Sequence, residues 1–508
     1  MQKATDPERV ELAISNTTLS GSGRESAGDR GHRPRLLNLS PSGIIAVALL
    51  TAILACAVLP SQTQAQEIHR GTLNPKVVCR SNAQQSYALY LPSSYTHDKR
   101  WPIIYCFDPG ARGSMPVERF KDAAEKYGYI VVGSNNSRNG STEAPLAAVK
   151  AMLEDTQARF SIDNRRVYTA GFSGGARVAS SVGYALTGTI AGVIACGAGF
   201  PQGLAPSRST PFPVFGTAGI EDFNFPEVKQ LSRALDSYGI ASRVAVFEGA
   251  HDWPPSAVCT EAVEWMELQA MRAGRRAKDE RLIEELFNKN VERARAQEAA
   301  GKLYDAFTSQ DAIAHDFKGL KDVAEFEKHA AELKERKEVK QAIKQETEME
   351  KEQVKRTNEL FTLKNSLEDT ELRVQALLDL KRNIAGLRKK IEEKELSAER
   401  IVARRVLNQL LVFLFESARE LTNRKQYDQA AQNLSIAVLI VPDNPRAHYN
   451  LACAYALNKD KGRAIEALKK SVEKGFNDRA ALESDKELDS LREDADYKRI
   501  LEDLKKKS

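Results

Sequence analysis

The stretch "VYTAGFSGGARVASSVGYAL", residues 167–186, constrains this 508-residue chain more than any other. Val167 to Ala170 is β-branched and aromatic, and Ala176 to Leu186 is rich in Ala and Val with no proline. Between them stand Gly171, Ser173, Gly174 and Gly175. A strand that turns sharply into a helix strains the residue at the turn and leaves no room for neighbouring β-carbons. The pattern Gly-x-Ser-x-Gly in that setting therefore predicts a serine hydroxyl held out at a helix N-terminus. A glycine-rich turn with an idle serine is the alternative, and the strand–turn–helix setting favours chemistry over it.

A serine hydroxyl is a weak nucleophile at neutral pH, so Ser173 needs a base to take its proton and a carboxylate behind that base. His251, in "RVAVFEGAHDWPP", is the only histidine between the serine and the charged second half of the chain, and it follows a late strand, Arg243 to Phe247. Between serine and histidine, "FPVFGTAGIEDFNFPEV" reads as a strand, Phe212 to Phe215, with a loop at its end carrying Glu221 and Asp222. The motif that Asp222 opens, ending in Phe225-Pro226, selects Asp222 as the acid and leaves Glu221 as the alternative. The order Ser, Asp, His separates this chain from the other folds that use the same three groups. An anionic intermediate also needs two backbone N–H donors, each contributing ~3–4 kcal/mol. Gly174 supplies one. After the strand Pro102 to Phe107, in "WPIIYCFDPGARG", Pro109 has no N–H, so Gly110 or Ala111 is expected to supply the other.

Beyond Gly274 the chain changes character. Residues 67–274 carry 39 charged side chains in 208 positions, and residues 275–508 carry 93 in 234, with Pro442 and Pro445 as their only prolines. That predicts exposed helix. Aligning residues 426–444 on 460–478 reveals a period of 34, with Ala430 on Ala464, Leu434 on Leu468, Ala418 on Ala452 and Leu421 on Tyr455. The period and the alternation of small and large residues resemble the tetratricopeptide repeat, and Ala306 takes the small position of a third, degenerate copy. From Lys318 to Glu399, Leu360, Leu367 and Val374 are seven apart, as are Leu377, Ile384 and Ile391, which predicts a coiled coil, a helical hairpin or a solvated helix packed on its neighbours.

At the other end, "GIIAVALLTAILACAVL" (Gly43–Leu59) is uncharged and apolar, preceded by Arg30, Arg33 and Arg35 and followed by "PSQTQAQ". This predicts a secretory signal with cleavage after Ala65, and hence export, with a retained membrane anchor as the alternative. Five cysteines follow: Cys79, Cys106, Cys196, Cys259 and Cys453. One or two disulfides are open among the first four, although Cys106 and Cys196 lie in apolar strand-like runs that suit buried thiols. A net charge of +5 over this length makes no case for nucleic acid.

The segments "YALYLPSSY", "IIYCFDPG", "GFSGGAR", "GTAGIEDFNFP" and "GAHDWPP" resemble an α/β-hydrolase of the polyhydroxyalkanoate-depolymerase and feruloyl-esterase type over residues 73–272. The resemblance implies an α/β fold with a parallel, doubly wound sheet, and hydrolysis of a carboxylic ester without metal or organic cofactor. Where relatives have His-Gly at the oxyanion turn, this chain has Asp-Pro-Gly. The expected organisation is a leader in 1–66, the hydrolase in 67–274, a charged helical region in 275–400 and repeats in 401–508. The hydrolase and the helical half beyond Gly274 are expected to be separable, with 67–274 folding and cleaving small activated esters alone. The expected function is an exported serine esterase with a helical module that binds a protein partner; a peptidase of the same fold and a non-catalytic scaffold are the alternatives.

Overall fold

The computed structural model describes residues 66–140 and 143–507. Eight strands form one sheet: β1 (Leu73–Val78), β2 (Ser86–Tyr90), β3 (Trp101–Phe107), β4 (Ile130–Ser134), β5 (Ile162–Phe172), β6 (Ile190–Cys196), β7 (Val214–Gly219) and β8 (Ser242–Phe247). Their order is β1-β2-β4-β3-β5-β6-β7-β8. The sheet is mixed rather than wholly parallel. β1 on β2 and β2 on β4 are antiparallel, and every pairing from β4 to β8 is parallel. β3, "WPIIYCF", is buried at every residue, as a strand covered on both faces must be.

Five helices provide the cover: α1 (Ser114–Tyr127), α2 (Glu143–Arg159), α3 (Gly174–Ala185), α4 (Phe225–Ser237) and α5 (Ser256–Arg272). One face packs Val149 and Met152 of α2, Ala179 and Val182 of α3 and Leu231 and Leu235 of α4 into the sheet. The other takes Val117 and Phe120 of α1 and Val263, Trp265 and Met266 of α5. The chain places β4 on one side of β3 and β5 on the other. Strand order therefore reverses between β3 and β5, and the space beyond the carboxyl ends at such a reversal is the usual place for a ligand in an open α/β sheet. Phe107 and Gly171 are paired at that end, so the turns after the two strands lie side by side there.

Eleven further α-helices follow among the described residues: α6 (Glu280–Ala299), α7 (Leu303–Asp316), α8 (Ala324–Glu335), α9 (Lys337–Asn365), α10 (Arg373–Ile391), α11 (Ala398–Asn423), α12 (Tyr427–Ile440), α13 (Pro445–Leu457), α14 (Lys461–Glu473), α15 (Arg479–Ser484) and α16 (Ala495–Lys507). The heptad segment is a helical hairpin. α9 ends at Asn365, and the turn before α10 breaks the phase of the repeat, so Leu360 and Leu367 are buried while Val374 is 70% exposed. Leu380 and Ile384 of α10 join Leu360 in packing on Val406, Leu410 and Leu414 of α11. The residues matched by the 34-residue period share one apolar cluster: Ala418, Ala430, Leu434, Ala452, Ala464 and Leu468. The backbone repeats as well, since Lys425 and Lys459, 34 apart, both take a left-handed conformation, with φ of 61° and 62°.

The change in charge at Gly274 coincides with the end of α5, but packing does not stop there. Leu268 and Met271 of α5 share a cluster with Leu282, Ile283 and Leu286 of α6 and Phe317 after α7. Asp316 of α7 pairs with Arg243 of β8 and accepts the Trp265 Nε1–H at 2.6 Å. Burial drives the Asp316 carboxyl upward in pKa against the pull of Arg243. Arg243 also pairs with Glu261 of α5, so its buried charge is shared between one carboxylate of the α/β unit and one of the helical half. The α/β unit thus shares core and buried charge with the first helices of the second half.

All five described cysteines are buried free thiols, so neither disulfide left open by the sequence forms. The apolar run 43–59 and the cleavage position after Ala65 lie outside the described residues. Among those described, no helix is long and apolar enough to cross a membrane.

Candidate active site

Ser173 sits where β5 becomes α3, with φ 54° and ψ −121°, a left-handed backbone that an L-residue adopts only under constraint. Its own N–H donates to Cys196 O at 2.8 Å, which ties the turn to the end of β6. The glycines are a matter of space. A β-carbon on Gly171 would collide with the carbonyl of Gly175, and one on Gly175 with the carbonyl of Phe107. The turn can therefore lie directly on the end of β3. Ser173 is half-buried and opens a 12-residue helix whose N-terminal dipole favours negative charge beside it.

His251 lies in the loop after β8, and its Nδ1 is 2.8 Å from Oδ1 of Asp222, which is wholly buried. The same Oδ1 accepts the Asn224 N–H at 2.8 Å. The imidazole is held between two phenyl rings, Phe172 at 4.5 Å and Phe223 at 4.2 Å between centroids. Phe172 immediately precedes Ser173 and Phe223 immediately follows Asp222, so the histidine is packed between the neighbours of the other two groups. Of Glu221 and Asp222, Asp222 is the one in contact with His251. The Glu221 carboxylate lies 3.6 Å from Arg404 of α11.

The Asp-Pro-Gly turn after β3 is not arranged as the sequence predicts. Gly110 donates its N–H to Asp108 Oδ1 at 2.8 Å, and Ala111, with φ 58°, donates its own to Asp108 O at 3.1 Å. Both N–H groups expected to face a reacting oxygen are thus taken up by Asp108. Asp108 also accepts Trp253 Nε1–H at 2.8 Å and two N–H groups of Arg112 at 2.9 Å. Burial raises the Asp108 pKa, but the bonds from Arg112, Trp253 and Gly110 outweigh it and hold the carboxyl below its ordinary value. Asp108 is a structural anchor joining the β3 turn to the loop that carries His251, and the buried Trp253 belongs to that anchor.

Gly174 keeps its place beside Ser173, and no described residue accepts its N–H. Asn139, which the sequence did not single out, packs against it. A β-carbon on Gly174 would run into the Asn139 carboxamide, whose Nδ2 donates to Glu416 of α11 at 3.1 Å. Asn139 N–H in turn donates to Pro109 O at 2.9 Å. The second half of the chain supplies more contacts at the acid loop. Arg405 of α11 donates Nε and Nη2 to Ile220 O at 3.0 and 2.6 Å, and Gln353 of α9 donates Nε2 to Phe223 O at 2.7 Å. One signal for Arg405 was present in the sequence: it stands with Arg404 inside the apolar run "IVARRVLNQLLVFLF".

No family model matches the chain, and no curated protein matches it. Among solved structures it is similar to a ferulic acid esterase at 16% identity, over 38% of this chain and 96% of that one, with a TM-score of 0.33. An S-formylglutathione hydrolase from Staphylococcus aureus is similar at 13% identity, over 36% and 90%, with a TM-score of 0.30. Thermogutta terrifontis esterase 2 is similar at 14% identity, over 40% and 96%, with a TM-score of 0.31. Likenesses this slight bear on neither mechanism nor substrate, and the functional reading rests on the geometry of the site.

Proposed function

We propose that this chain is a serine hydrolase that cleaves carboxylic esters, with Ser173 as nucleophile, His251 as base and Asp222 as the acid behind it. The observation that carries this reading is the buried Asp222–His251 pair, packed ring to ring against the residue before a strained serine at the switch point of the sheet. In the first step the Ser173 hydroxyl attacks the acyl carbon, and its proton passes to Nε2 of His251. The charge that forms on the imidazole is balanced by Asp222 across the 2.8 Å contact. Negative charge on the carbonyl oxygen is met by the Gly174 N–H and the α3 dipole. The proton then moves to the departing alcohol, and water releases the acyl group by the same route in reverse.

The 34-residue repeats support a helical module of the tetratricopeptide type, for which a protein partner is the natural ligand. The basic flank and apolar run of residues 30–59 support export of the protein, or its anchoring to a membrane. Profiling the purified protein against short p-nitrophenyl esters, aryl esters and peptide substrates, with Ser173→Ala as control, tests the reading. Ester turnover that disappears in the control supports it, and turnover of peptides alone would replace esterase by peptidase.

A further inference from the structure

The loop that carries Asp222, between β7 and α4, is held from two sides. Its N–H groups bond within the α/β unit: Ile220 N to Phe247 O at 2.9 Å, Glu221 N to Gly249 O at 2.8 Å and Asp222 N to Gly219 O at 3.0 Å. Its outward carbonyls do not. Ile220 O is gripped by two nitrogens of Arg405 and Phe223 O by the buried amide of Gln353, so α11 and α9 hold the residues on both sides of Asp222. The Arg405 guanidinium also lies 4.1 Å above the Phe225 ring.

Arg405 is unusual for an interface residue. It is 2% exposed, and none of its contacts is an ion pair. Burial lowers its pKa to about 10, against the pull first of Asp222 and then of Glu346, Glu350 and Glu221. Each of those last three has a cation of its own: Lys229 at 3.1 Å, Arg233 at 3.1 Å and Arg404 at 3.6 Å. A guanidinium buried without its own carboxylate is a poor way to hold two helical layers together, since an apolar side chain would do so at less cost. What this one does is fix a carbonyl two residues from Asp222.

We infer that Arg405 and Gln353 are positioning residues for Asp222, so that the charged helical half completes the active site of the α/β unit. The inference rests on the serine-hydrolase reading of Ser173, Asp222 and His251, and it makes the acid a joint product of three layers: β7, α9 and α11. The base follows the acid, because Asp222 orients His251 and Phe223, whose carbonyl Gln353 holds, forms one wall of the imidazole slot.

The test is a double-mutant cycle in the full chain. Arg405→Gln and Gln353→Leu are each made in the native protein and in Asp222→Asn, with folding checked by circular dichroism and kcat and KM measured on an activated ester. Each variant is expected to lower kcat by about 10–100-fold in the native protein, the scale of a small misplacement of a catalytic group, with KM changed by less than about threefold. In Asp222→Asn the same substitutions are expected to change kcat by less than about threefold, because groups that act through one another are not additive. A merely structural role would lower activity equally in both backgrounds. Equal losses, or no loss in the native protein, would overturn the inference. Gln353→Leu removes a single hydrogen bond on the far side of the loop and decides the matter if Arg405→Gln does not fold. Full activity in Asp222→Asn itself would remove the triad reading along with this one. An inactive Asp222→Asn with additive losses would remove this one alone.

Discussion

Replacing Asp222 by Asn changes one atom in a fully buried group, and its hydrogen-bond partners decide how the amide settles. Oδ1 accepts from both His251 Nδ1 and Asn224 N, each at 2.8 Å, so the amide oxygen is drawn to that position. The imidazole then keeps its tautomer and loses only the charge behind it. A carboxylate and an imidazolium with charge centres about 4 Å apart attract by about 4 kcal/mol at an effective dielectric of about 20. Lost from the transition state alone, that is about 10³ in kcat. If the amide turns its NH2 to His251 instead, the ring takes the wrong tautomer and the loss rises to ~10⁴. In the first orientation the new NH2 is buried without an acceptor, because Oδ2 has no partner among the described residues, and in the second the Asn224 N–H loses its acceptor; either costs ~1–3 kcal/mol of stability. The assay is steady-state hydrolysis of a p-nitrophenyl ester beside a thermal melt, with Glu221→Gln as comparison. Glu221 lies 3.6 Å from its nearest cation, Arg404, so its variant should lose less than about threefold. Equal, small losses in the two variants would refute the reasoning and move the acid elsewhere.

Packing and charge across the boundary at Gly274 set two further outcomes. The fragment 67–274 should aggregate, because it exposes Leu268 and Met271, takes from Arg243 one of its two carboxylates and leaves Trp265 Nε1–H without its acceptor, whereas 67–336 should stay soluble and show weak ester turnover without α9 and α11; a stable, fully active 67–274 by size-exclusion chromatography and assay would contradict this. The Asp108 carboxyl is held below its ordinary pKa in the native state, so the stability it contributes is present above the unfolded value of about 4 and lost as pH falls through the lower native one. Asp108→Asn should therefore melt lower than the native protein at pH 7, with the gap closing in acid; a gap that persists unchanged to pH 2 would show that the ionised form is not what matters.

The parts legible in the sequence are those whose cause is local. The turn at Ser173 needs glycine at 171 because the carbonyl of Gly175, four positions on, takes the space of its side chain. The meeting of Asp222 and His251 follows from their places in the loops after two paired strands, β7 and β8. The β3 turn misled, because what occupies Gly110 and Ala111 is set by Asp108, which is itself held by Trp253, 145 residues away. The grip of the helical half was illegible for the same reason, since Arg405 and Ile220 are separated by 185 residues and Gln353 and Phe223 by 130. A change of composition at Gly274 marks where helix takes over from mixed structure. It carries no information about which side chains cross the boundary, and Arg243 and Asp316 are two that do. The sevenfold spacing through Val374 likewise continued across a turn that no periodicity could locate.

The central claim, that Ser173 is a nucleophile activated by His251, is tested most directly by reacting the full-length protein with a fluorophosphonate probe and locating the adduct by mass spectrometry. A single adduct on Ser173, absent from Ser173→Ala and formed at least about 100-fold more slowly in His251→Ala, is the predicted result. Labelling at another residue, or labelling of Ser173 at an undiminished rate without His251, would contradict it.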